Sequence, residues 1–161
     1  MQVTEIYKTL DYSPAPESPE QAIEWLKENK SSFGLFINGK WHKPKSAAVF
    51  KTVNPANGKK LATITEARKA EVNAAVNSAK QAFPKWNALS GNERARYLYA
   101  IARQIQKHSR LFAVLESMDN GKTIRETRDI DVPLVIRHFY HHAGWAPVSY
   151  THLTLPTILR V

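Results

Sequence analysis

His138, His141 and His142 are the side chains whose type and spacing bear most directly on chemistry. Positions four apart share one face of a helix, so His138 and His142 have the spacing of a zinc chelate. No third ligand accompanies them, and the HExxH pattern that would add a carboxylate base does not occur. They are therefore read as packed or surface histidines. Cysteine is absent, which removes a thiolate nucleophile, disulfides and thiolate metal sites together. No GxGxxG stretch and no GxxxxGK followed by Ser or Thr is present to cradle phosphates. No Ser/His/Asp or Cys/His set can be nominated, so the residues offer no catalytic constellation.

A second group is basic. Arg96, Arg103 and Lys107 fall within about 40° of one another on a helical wheel, opposite an apolar stripe. Such a stripe could track phosphates or an acidic partner. No aromatics interleave with it to stack bases, so a solvated or subunit-contact face is the reading and nucleic acid is not expected.

The elements that carry these groups are legible in the chain. Pro14, Pro16 and Pro19 mark an extended arm, after which Ser18 is placed to cap a short helix with Ala22, Ile23 and Leu26 on one face. Asn38-Gly39, between Leu35–Ile37 and Lys40–His42, is a strong hairpin signal because both residues tolerate positive φ. Val49–Val53 and Lys60–Thr65 form a second hairpin around Pro55-Ala56-Asn57-Gly58, and the two together predict one small antiparallel sheet. From Ala67 the period becomes helical, with Val72, Ala75, Val76, Ala79 and Phe83 on one face and Pro84 expected to end the run. Ser90-Gly91-Asn92-Glu93 reads as a capping box opening a helix to about His108, with Leu98, Ile101 and Ile105 as its stripe, joined by Tyr97 and Ala102. Ser109 is placed to cap a third helix, which Asn120-Gly121 stops, and Asp131-Val132-Pro133 is expected to start the last.

The chain has 161 residues, 43% hydrophobic and 23% charged, with a net charge of +9, which is ordinary globular composition with a basic balance. No apolar run approaches the ~20 residues needed to span a bilayer. The first residues lack the basic-then-apolar order of a signal peptide, so a cytoplasmic location and no membrane partner are expected.

Six stretches in order resemble the N-terminal part of the aldehyde dehydrogenase superfamily: FINGKW from Phe36, TVNPANGK from Thr52, AAVNSAKQAFPKW from Ala74, LSGNERARYLYAIARQIQKH from Leu89, LESMDNGK from Leu115 and HFYHHAGWA from His138. The resemblance implies an α/β fold: the N-terminal hairpins and helices of a Rossmann-like dinucleotide-binding domain, truncated before the parallel sheet is complete. It divides the chain into an extension at 1–33, a partial NAD(P)-binding domain at 34–146 and a tail at 147–161. That tail, PVSYTHLTLPTILRV, shows no helical period and breaks off an apolar helix abruptly. Val148–Thr157 resembles the translated end of a transposase adapter used in sequencing libraries, so 147–161 is set aside as a scar.

Members of this superfamily oxidise aldehydes to carboxylic acids with NAD or NADP, using a cysteine nucleophile and a water-activating glutamate, and commonly as homo-oligomers. All of those groups, and the dinucleotide contacts, lie beyond the AGWA landmark in the family. The implied function is thus a fragment of such an oxidoreductase, inactive alone, with no catalytic or cofactor-binding residue and no bound NAD or NADP of its own. The resemblance also implies a structural monovalent cation held by the backbone carbonyls of Thr52 and Val53 and by Asp119, a hard-oxygen set suited to such an ion. An Asp near a helix end that simply bonds backbone or solvent would look the same. The alternative for the whole chain is a non-catalytic helical interaction module with a basic face, for nucleic acid or an acidic partner.

Overall fold

The computed structural model describes residues 18–44 and 47–148; the prolines at 14 and 16 and the tail beyond Val148 lie outside it. Helix α1 spans Glu20–Glu28 with Pro19, not Ser18, at its cap position; Ser18 Oγ, one residue earlier, accepts from the Glu20 amide at 3.2 Å. Strands follow at β1 Ser32–Phe33, β2 Leu35–Ile37, β3 Lys40–His42, β4 Val49–Val53 and β5 Lys60–Thr65. Asn38 and Gly39 have φ of 51° and 73°, so the β2–β3 hairpin closes through the two-residue turn its sequence specifies.

The sheet differs from the single antiparallel one expected. β2 and β3 form a separate two-stranded ribbon, while β1, β5 and β4 make a mixed sheet in that order. β1 runs parallel to β5, with Ser32 opposite Thr63 and Phe33 opposite Ile64. Two residues carry no readable period, and only α1 folding back places them there: Trp25 stacks on Phe33, 5.4 Å between ring centres. β4 and β5 are antiparallel, with a register shift between Thr52 and Val53 that leaves Leu61 without an opposite.

The helical half begins with α2, Lys69–Ala88, opened by the Glu71 carboxylate accepting from the Arg68 amide at 3.0 Å. It runs through Pro84 rather than ending there. A proline one turn from a helix end loses little, because few hydrogen bonds remain beyond it. Helix α3 spans Gly91–Lys107 behind the predicted capping box: Ser90 Oγ accepts from the Glu93 amide at 3.2 Å, and the Glu93 carboxylate accepts from the Ser90 amide at 2.8 Å. That backbone donor, with the Ser90 hydroxyl behind it, holds the Glu93 carboxyl below its ordinary range.

Helix α4, Ser109–Asn120, starts at Ser109 itself with His108 as its cap, and no side-chain capping bond forms, contrary to the role expected of Ser109. It stops as predicted at Gly121, φ 82°. The last helix starts where expected, at Val132 with Asp131 as its cap position and Pro133 in its first turn, but a helical path already leads into it. Thr123 caps a short α5, Ile124–Glu126, which passes through a wider π turn, Thr127–Asp131, into α6, Val132–Trp145. Pro133 therefore sits inside a continuous helical path, and the extra residue of the π turn lies just before it.

Packing between α3 and α6 rests on Ala95, Ala102 and Ala143, all buried, which lets the two backbones approach closely. They run antiparallel, with Gly91 against Ala146. The expected stripe of α3 is accordingly split: Ala102 packs inward, while Tyr97 and Ile101 stay exposed. No residue of the twenty in α2 is buried, although Val72, Val76 and Phe83 line its apolar face. No helix among the described residues is long and apolar enough to cross a membrane.

Candidate functional site

Two of the landmark stretches meet in space. The Thr52 hydroxyl on β4 donates a hydrogen bond to the Asp119 carboxylate in the last turn of α4, across 67 residues of sequence. Two turns hold them there. In TVNPANGK, Asn54 Oδ1 accepts from the Ala56 amide and Asn57 Oδ1 from the Lys59 amide, each at 2.9 Å, so the side chains themselves shape the turn. In LESMDNGK, Ser117 Oγ donates to the Lys122 carbonyl at 2.8 Å, and Asn120 Oδ1 accepts from the Lys122 amide at 2.9 Å. Lys122 then anchors the next element through its ammonium, 2.7 Å from Asp131, whose carboxylate pushes the Lys122 pKa up.

Pro55 closes the contact. A Cβ built at Gly121 would lie 2.8 Å from Pro55 Cγ, so the second turn approaches the first as only glycine allows. The left-handed conformation costs any other residue about 1–2 kcal/mol before that clash is counted. Gly121→Ala is therefore expected to speed amide exchange in the 115–122 turn by about tenfold or more. Unchanged protection would mean that the turn does not depend on this approach.

Of the sequence-nominated set, Thr52 and Asp119 are thus brought together, and Val53 lies next along β4 at the register shift, half exposed. The reading from sequence used the carbonyl of Thr52 and missed its hydroxyl, which no spacing argument could have paired with Asp119. Asp119 brings one carboxylate's charge, which suits a monovalent ion better than a divalent one.

Thr52 and Asp119 stand on the wall of an apolar cleft of about 790 Å³ between the mixed sheet and helices α1, α3, α4 and α6. Trp25, Phe50, Ile64, Phe112, Leu115 and Val135 are among its lining. Glu116 and Asp119 are its charged members, and its lining includes neither a cysteine nor a histidine. The histidines lie elsewhere, exposed on α6, and no group of three metal-binding side chains occurs among the described residues. Arg96, Arg103 and Lys107 are exposed, as a solvated face requires.

The mixed α/β scaffold is shared with known proteins. Residues 41–157 match the family described as "Aldehyde dehydrogenase family", a stretch that runs past Ala146. DhaS of Bacillus subtilis (strain 168), provisionally named an aldehyde dehydrogenase, is 41% identical over 124 residues, 76% of this chain and 25% of its own length. Among solved structures, the NAD+ complex of an aldehyde dehydrogenase from Bacillus cereus is 30% identical with a TM-score of 0.71, covering 84% of this chain and 26% of that one. PnpE from Pseudomonas sp. WBC-3 is 35% identical with a TM-score of 0.67, over 70% of this chain and 23% of its own. The chain belongs to the aldehyde dehydrogenase family. It spans about a quarter of the length of the relatives it matches.

Proposed function

We propose that residues 1–161 are a piece of an NAD(P)-dependent aldehyde dehydrogenase that oxidises aldehydes to carboxylic acids in the cytoplasm as a homo-oligomer, and that this piece turns nothing over alone. The observation that supports this most is the contact between the TVNPANGK and LESMDNGK turns within a family match covering a quarter of the relatives. In this reading the chain's residues supply scaffold: α4 and β4 fix the two turns, and the cleft between sheet and helices is the seat for the remaining strands. Residues 147–161 are a scar in this proposal, although the family match reaches residue 157. Sequencing the source locus onward from the codon for Ala146 tests it. A frame that continues into a cysteine nucleophile supports the reading. A genomic PVSYTHLTLPTILRV followed by a stop would sink it and leave a basic-faced interaction module as the better account.

The same reading places a monovalent cation between the Thr52 and Val53 carbonyls and the Asp119 carboxylate, where it would neutralise the carboxylate and tie the two turns together. Sodium or potassium is then expected to raise amide protection around Thr52 and Asp119 where a bulky organic cation at equal ionic strength does not. Asp119→Ala should erase the difference. Equal protection in both salts would remove the ion from the account.

A further inference from the structure

The exposed histidines on α6 offer a site separate from the turns and the cleft. His138 and His142 stand one helical turn apart with their rings 6.4 Å between centres and only 18° apart in plane. Both side chains are exposed, and they project from a helix fixed by the buried Ala143 and Val132. We propose that His138 and His142 form a two-imidazole chelate for a borderline divalent transition ion of the nickel, copper or zinc type.

Imidazole nitrogen prefers such ions to magnesium or calcium, which take oxygen. Metal–nitrogen bonds of about 2.0–2.1 Å draw the two rings closer than they now stand. Rotation about their side-chain torsions supplies that approach, because neither ring is packed into a core. No third protein ligand adjoins them among the described residues, so water fills the remaining positions. Binding is therefore exchangeable rather than structural. His141 is the natural competitor. It lies three residues from His138 and edge-on to His142, 5.4 Å between centres, while its other side meets Trp145 at 6.1 Å. Its ring is thus engaged along the helix rather than aligned with His138, and the four-residue pair holds the ion.

The test is calorimetric titration of untagged 1–161 with nickel chloride, with magnesium chloride as the control. One nickel per chain is expected, with magnesium silent. His138→Ala and His142→Ala should each weaken nickel by on the order of a hundredfold, the gain lost when two ligands on one rigid element become one. His141→Ala should leave the affinity unchanged. Alanine favours helix at exposed positions, so these variants keep α6 folded, and circular dichroism checks it. Nickel affinity unchanged in His138→Ala and His142→Ala would overturn the proposal. So would a loss in His141→Ala equal to that in His142→Ala, or no nickel binding by the parent chain.

Discussion

Purified 1–161 is expected to bind a hydrophobic dye and to unfold over a broad range rather than in one sharp step. The core explains why. Nine hydrophobic residues are buried among the described ones, and six of them are alanines: Ala22, Ala62, Ala95, Ala102, Ala113 and Ala143. Alanine buries a single methyl, and burial contributes about 0.8 kcal/mol per CH2 against about 1–2 kcal/mol for ordering each residue's backbone. The large side chains that would normally offset that cost face outward. Phe83 is 60% exposed and Val72 50%, both on a helix with no buried residue. Helices in water depend on tertiary cover more than on propensity, so α2 is the first element expected to fray. The open cleft of about 790 Å³ adds a second apolar surface to which a dye can adsorb. A sharp, dye-free transition, with α2 amides as protected as those of α3, would overturn this account.

Aldehyde-dependent production of NADH or NADPH by 1–161 is expected to be indistinguishable from the protein-free rate. The chain has no cysteine, so no thiolate is available to attack the carbonyl. The cleft carries apolar side chains and two carboxylates, and no phosphate-binding glycine loop exists in the sequence. Enzymes accelerate their reactions by about 10⁶-fold or more, so the difference from a complete family member should span the whole range of the assay. Measurable turnover that scales with the concentration of 1–161 would show that some other group does the work of the missing thiol.

Much of the local structure was legible. The Asn38-Gly39 turn, the Ser90–Glu93 box and the Gly121 stop each depend on residues close in sequence, whose side chains bond or whose φ angles are set within a few positions. The misreadings are also local in cause. Pro84 lacks the amide a helix interior needs, yet it lies close enough to the helix end that α2 runs through it. Pro133 does stand in the first turn of α6, but no sequence period announces the short helix capped by Thr123 or the π turn that lead into it. The stripe on α3 has the period of one buried face, yet close packing through alanines selects only part of it.

The sequence by itself determined the class of the protein, through six landmark stretches in order, and the absence of a thiol nucleophile, through composition. Tertiary structure alone decided the pairing of β1 with β5 and the meeting of Thr52 with Asp119. Two residues carry too little pattern to name a strand partner, and a hydroxyl and a carboxylate 67 positions apart share no period. Such contacts are set by where α1 and α4 dock, and docking depends on shape and burial that no local rule encodes.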